Sequence, residues 1–232
     1  MRAKVSALCA IMVAGLAGCG GGGAESTSEE AATEARTSGA EAPARHQDEP
    51  EITGLLGTIP RHEVERTLDP QIPRFMRCFE QRMGQVEVLS GEMSLAFRIR
   101  TDGTVAWVYP AASDVGDRQA EQCVLALARG VRFPPPRGGE AEFRWSLGFD
   151  APDDVRPPLP LHEDALGRQR ERVASLAREC NAHGAYHVTA YIEPGGRVLA
   201  AGGSAPSADA EAGLDCILER VRALEMPDPG SY

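Results

Sequence analysis

The sequence predicts an α+β protein made of two tandem two-layer sandwiches. Each has the order helix–strand–strand–helix–strand, and the second lacks its last strand. Three observations predict this. A hairpin pattern, "FRIRTDGTVAWV" at Phe97–Val108, returns as "YIEPGGRVLA" at Tyr191–Ala200. A cysteine follows each turn glycine at the same distance, Gly103 to Cys123 and Gly196 to Cys216. Runs of apolar residues at helical spacing flank both hairpins.

In chain order, residues 1–18 come first. Arg2 and Lys4 precede an apolar run from Val5 to Leu16, and small residues follow. That is the layout of a secretory signal peptide. The run falls short of the ~20 apolar residues a membrane-spanning helix needs. Leu16-Ala17-Gly18-Cys19 resembles the bacterial lipobox. The resemblance implies cleavage before Cys19 and a lipid on its thiol, which would anchor the chain to a membrane. Gly20 at the next position points to the outer membrane, facing the periplasm. Cys9 lies in the leader. Removing Arg2 and Lys4 takes the formal charge from −10 to −12. An acidic chain of this kind is a poor match for nucleic acid, so no nucleic-acid partner is expected.

Residues 19–50 hold the lipidated cysteine and then "GGGGAESTSEEAATEARTSGAEAPARHQDEP". Seven acids face only Arg36 and Arg45, and large apolar side chains are missing. Such a composition predicts a disordered acidic linker, with a mean span of roughly 30 Å. Gly20–Gly23 lack the strand, helix and Lys-Ser/Thr of a phosphate loop and read as a spacer.

Residues 51–150 form the first expected unit. "DPQIPRFMRCFEQRM" sets Ile72, Phe75, Met76, Phe79 and Met83 at helical spacing, with Cys78 at the edge of the stripe. "MSLAFRIR" alternates Met93, Leu95, Phe97 and Ile99 with polar neighbours, as a half-buried strand does. Asp102-Gly103 suggests a type I′ turn. "TVAWVY" is the return strand, and "DRQAEQCVLALARGV" a helix with Ala120, Cys123, Val124, Leu127 and Val131 inward. "FPPP" stops that helix, and Ala141–Phe149 closes the unit as a third strand.

A proline-rich hinge at 151–160 should be stiff. Residues 161–232 form the second unit. A helix from about Glu163 carries Leu166, Val173, Leu176, Ala177 and Cys180 on one face. "YHVTAYIE" and "RVLAAG" flank the turn, and "ADAEAGLDCILERVRAL" is the closing helix. Ile99 and Ile192 stand four before the turn glycine, and Val105 and Val198 two after it. Phe133-Pro134 and Met226-Pro227 follow their cysteines at one distance, as do Pro136 and Pro229. Ungapped correspondence over this length indicates an internal repeat.

Four cysteines remain beyond Cys19, in a chain expected to be exported, and four allow three pairings. If both helices of a repeat lie on one face of its sheet, Cys78 pairs with Cys123 and Cys180 with Cys216. Free buried thiols are the alternative. So is a zinc site built from Cys180, His183, His187 and Cys216, although the first repeat has no matching histidines. No G-x-S-x-G, H-E-x-x-H, C-x-x-C or phosphate loop is present. Ser204 reads as a turn residue. Asp153-Asp154 and Glu163-Asp164 read as capping or solubilising carboxylates. No catalytic residue, cofactor or metal ligand is therefore assigned, and a non-enzymatic role is expected. The alternative is an envelope metal-binding protein or enzyme using the Cys180/His183/His187 region.

Residues 60–150, with the strand–turn–strand–helix–"FPPP"–strand order, resemble the TonB C-terminal domain. "RCFE" at Arg77–Glu80 and "QCVLAL" at Gln122–Leu127 are more similar to its two-cysteine version, the AgmX/PglI C-terminal domain. A degenerate second copy covers 160–232. The resemblance implies two TonB-C-like sandwiches that dock envelope proteins, often through a sheet edge. The chain lacks an N-terminal membrane helix and a long Pro-Lys segment, which argues against energy transduction. With no counterpart to Ala141–Phe149, the second hairpin should expose an edge at Val188, Ala190 and Ile192. Natural proteins cover or pair such edges. Either a partner strand fills it by β-augmentation, or the chain fills it internally with the first repeat or with Glu51–Ile59.

Overall fold

The computed structural model describes residues 7–12 and 57–230, apart from positions 153, 156 and 162. Cys19 and the linker at 20–50 lie outside the described residues. The architecture is mixed α+β, with a three-stranded antiparallel sheet and a four-stranded sheet. Among the described residues no helix is long and apolar enough to cross a membrane.

Strand β1 is Ala7–Met12. Helix α1, Arg61–Leu68, starts after Pro60 and buries Val64 and Leu68. Its sequence, "RHEVERTL", offers only those two apolar anchors, too few to announce a helix by periodicity. A 3-10 turn at Asp69–Gln71 leads into α2, Ile72–Met83, which buries Phe75, Cys78 and Phe79. Strands β2 (Gly91–Ile99), β3 (Val105–Ser113) and β4 (Ala141–Phe149) form the first sheet in the order β3-β2-β4. Helix α3, Arg118–Arg129, is capped by Asp117, whose side chain accepts the Ala120 amide proton at 2.9 Å. It ends at Gly130, ahead of "FPPP".

Met93, Leu95, Phe97 and Ile99 are all fully buried, as the alternation predicts. Phe97 stacks on Phe143 and meets Phe133 edge-on. Each such side chain contributes about 1.5–3 kcal/mol by leaving water. The Cys78–Cys123 disulfide ties α2 to α3, with Cα atoms 5.7 Å apart.

The remainder comprises β5 (Leu159–Pro160), α4 (Glu163–Leu166), α5 (Arg168–Glu179), β6 (His187–Ile192), β7 (Val198–Ser204) and α6 (Glu211–Arg222). The helix expected from Glu163 is thus broken in two at Gly167. Leu166, Val173 and Leu176 face the second core, as their spacing suggests. Cys180, at the end of α5, is bonded to Cys216 of α6, Cα to Cα 5.8 Å. Leu159–Pro160, expected within a hinge, is a short strand in the order β5-β1-β6-β7.

The hairpin turns differ from the type I′ expectation. Asp102 does not take positive φ; Gly103 does, at 83°. Gly103 N–H donates to Arg100 C=O and Arg100 N–H to Thr104 C=O, so the loop has three residues and closes through a glycine bulge. The second hairpin repeats this. Gly196 has φ 82°, its N–H donates to Glu193 C=O, and Glu193 N–H donates to Arg197 C=O.

The likeness extends beyond the turn. Phe133 N–H donates to Gly103 C=O, and Met226 N–H to Gly196 C=O, both at 2.9 Å. Thr104 bridges Arg132, and Arg197 bridges Glu225. Both hairpins also carry a register shift just before the turn, between Arg98 and Ile99 and between Tyr191 and Ile192. "FPPP" therefore does more than stop a helix: the segment it opens latches the hairpin turn.

Candidate functional site

The two sandwich-like halves are packed directly on each other, and their seam determines what remains of strand β6. Val188, Ala190 and Ile192 belong to the second core. Tyr191, one face over, belongs to the first. Its hydroxyl donates to the Ser90 carbonyl at 3.2 Å, and burial pushes the phenol up to about 12. Thr189 is also fully buried. The Thr189/Tyr191 side of β6, opposite Val188, Ala190 and Ile192, is buried under the first half by tertiary packing.

The seam is ionic as well as apolar. Glu121 is sealed from solvent on α3. One of its carboxylate oxygens accepts from Ser113 Oγ at 2.7 Å and from the Gly203 amide of β7 at 2.8 Å. The other lies 3.6 Å from Arg118 Nη1 and carries no hydrogen bond. Arg118 donates to Asp215 at 2.7 Å and Glu211 at 2.9 Å, both on α6. Arg129 reaches Glu211 as well. Glu211 sits in the first turn of α6, where the helix dipole favours negative charge. Asp117 also accepts from Arg82 of α2, at 2.9 Å. Desolvation raises the Glu121 carboxyl to about 7, against the opposing effects of Ser113, Arg118 and the Gly203 amide.

Close approach at the seam needs glycine. A Cβ on Gly202 would stand 2.5 Å from the Asp117 nitrogen and 2.6 Å from the Glu121 carboxylate. Alongside, Ala205 N–H donates to Pro110 C=O at 3.0 Å, joining the end of β7 to β3. The stripe on α3 differs from expectation for the same reason. Arg118, Glu121, Leu125 and Ala128 are buried, while Cys123, Leu127 and Val131 are half-buried. Ala120 and Val124 are buried as expected, and because the helix is covered on two sides a one-sided apolar pattern captures only part of its inner face.

With both faces walled, β6 offers only an edge. On one side it pairs with β7. On the other, among the described residues, only Ala7–Met12 pairs with it, antiparallel, from Ala7 opposite Ile192 to Met12 opposite His187. Val188, Ala190 and Ile192, expected at a partner-strand edge, do lie on this strand, but their side chains are spent in the second core. Glu51–Ile59 is described only from Gly57. There Thr58 pairs with Arg137, and Ile59 lies in the first core.

The Cys180 and Cys216 sulfurs are joined in a disulfide, which removes both from a thiolate zinc set. His183 is exposed. Among the described residues no group of three or more His, Cys, Asp or Glu is placed to hold a metal ion. Ser204 is the last residue of β7 and is buried.

The seam residues Glu121, Arg118, Ser90 and Tyr191 were not singled out from sequence. One local signal existed: paired glycines inside a strand, Gly202-Gly203, mark close backbone approach. The fold is that of a disulfide-bonded α+β protein in which β6 is paired by β7 on one side and by Ala7–Met12 on the other. Comparison with protein-family models, with curated proteins and with solved structures gives no match.

Proposed function

We propose that this chain is a non-enzymatic lipoprotein of the bacterial envelope that captures partner proteins by strand addition at the β6 edge. Its lipid would be carried on Cys19, and the acidic linker at 20–50 would tether the folded part to the outer membrane, facing the periplasm. One observation carries the docking reading. Among the described residues, the side of β6 away from β7 is paired only by Ala7–Met12, which lies inside the leader segment expected to be removed on export. Removal would leave a row of backbone donors and acceptors on a strand held rigid by two cores and a disulfide. Such a row binds extended chains by main-chain hydrogen bonds.

The resemblance of 60–150 to the two-cysteine TonB-C-like domain supports the same reading, as does the matched hairpin latch at 160–232. We read the pair as tandem TonB-C-like copies, the second using its missing strand position as the receptor. Glu121, the buried carboxyl of the seam, is sealed from solvent and cannot touch a substrate.

The test is photocrosslinking in intact cells from His187 and from Glu193, which flank the edge, with Trp107 on the other sheet as control. Capture of the same envelope protein from both flanking positions but not from Trp107 is expected. Equal capture from all three sites would sink the edge reading. Loss of membrane retention in Cys19→Ala tests the anchor separately.

A further inference from the structure

We infer that the strand received at the β6 edge is an apolar one, with uncharged side chains at successive positions rather than an alternating apolar–polar strand, and that it runs antiparallel to β6. This rests on the docking reading above and specifies its partner: an extended segment of another envelope protein, about six residues long.

The latched turns, the shared bulge and the disulfides set β6 in register with β2, so that Ile192 answers to Ile99. In the first half the far edge of β2 is taken by β4, antiparallel, with Ala141 opposite Ile99, Phe143 opposite Phe97 and Trp145 opposite Leu95. In the second half the same position beside β6 is taken by Ala7–Met12, with Ala7 opposite Ile192, Cys9 opposite Ala190 and Ile11 opposite Val188. The position vacated by leader removal is therefore the β4 position of the second half, and an antiparallel strand fits it.

The chemistry follows from what lies beside each face. Strand β4 alternates because one face is solvated: Ala141, Phe143 and Leu147 are buried while Arg144 and Ser146 are exposed. Strand β6 has no solvated face, since Thr189 and Tyr191 are as buried as Ile192. A strand pairing with this edge extends a sheet that is covered on both faces at β6, and strands buried on both faces read as unbroken apolar runs. The segment seated there, "ALCAIM", is such a run. Its first two residues also pair with Leu159–Pro160 on the far side, so the guest lies in a slot between two strands.

The chain's own linker cannot supply this guest. Residues 20–50 contain no Val, Ile, Leu, Met or Phe. Glu51–Ile59 is interrupted by Gly54 and Gly57, and Ile59 is already committed to the first core.

The mature lipid-bearing protein, purified in detergent, is titrated with two lysine-flanked peptides. One carries "ALSAIM", the leader run with its cysteine replaced by serine. The other carries "AEFRWS", taken from β4. Hydrogen exchange is followed at the His187–Ile192 amides that point away from β7. In the free protein these amides should exchange fast, and the apolar peptide should slow them and bind about tenfold or more tightly than the alternating one. Equal or tighter binding of the alternating peptide would overturn the apolar specification while leaving edge docking intact. Fast amides with neither peptide bound would overturn it as well. Amides already slow in the free mature protein would mean an internal strand fills the edge, and would overturn the docking reading itself.

Discussion

The Glu121 carboxylate accepts the Gly203 amide proton across 2.8 Å, tying a helix of the first half to the last strand of the second, 82 residues away in the chain. It is a fully buried contact of the seam, and the acid that makes it is costly to keep charged.

That cost gives a pH dependence. Burial raises the folded-state value of Glu121 from 4.5 to about 7, so between these values the folded protein holds the proton more tightly than the unfolded chain does. Stability therefore falls as pH rises through this window, by roughly 3 kcal/mol in all, and levels off above it. Urea unfolding at about pH 5, 6, 7 and 8 checks the slope. Glu121→Gln should flatten it and make the variant the more stable protein at the alkaline end.

The latched turns predict a paired glycine effect. Alanine at Gly103 or Gly196 must hold a φ of 83° or 82°, and its Cβ collides with the Phe133 or Met226 carbonyl. Each substitution should cost about 1–3 kcal/mol from the backbone conformation alone. Gly148→Ala, with nothing near its added carbon, should change stability by less than about 0.5 kcal/mol. Thermal unfolding of the three variants decides it.

Both disulfides close sizeable loops, with sequence separations of 45 and 36. The chain-entropy model gives about 4 kcal/mol for each. Peptide mapping without reductant should recover Cys78 with Cys123 and Cys180 with Cys216. Replacing either pair by serine should lower the urea midpoint, and a crossed pairing would refute the arrangement of helices on their sheets.

Tyr191 separates packing from hydrogen bonding. Tyr191→Phe loses only the two hydrogen bonds with Ser90, one donated to its carbonyl and one accepted from its amide, about 1–2 kcal/mol. Tyr191→Ala empties a fully buried site in the first core and should cost about 3–5 kcal/mol. It should also speed hydrogen exchange along β6, because the strand loses its hold on the first half.

Much of the fold could be read locally. The alternation at Met93–Ile99 and the stripe at Ile72, Phe75, Met76, Phe79 and Met83 are periodic signals within one element; the structure buries the first set fully, and of the second it buries Phe75 and Phe79 and half-buries the other three. The equal spacing from turn glycine to cysteine marked the two hairpins as copies, and the latch hydrogen bonds repeat at the same offset. Helix α1 escaped notice because two apolar residues do not make a period. The Asp-Gly turn was misjudged because a three-residue loop with a glycine bulge uses the same dipeptide as a two-residue turn.

The sequence by itself settled most helices and strands of the two hairpin units, though not α1, β1 or β5, since those choices depend on neighbours a few residues apart. Only the tertiary structure decided that Thr189 and Tyr191 are buried, that Glu121 and Arg118 meet the second half, and that Ala7–Met12 pairs with β6. Those outcomes depend on surfaces brought together from distant parts of the chain. Burial of a polar face leaves no periodic trace when the partner that buries it lies about a hundred residues away, as Ser90 does from Tyr191.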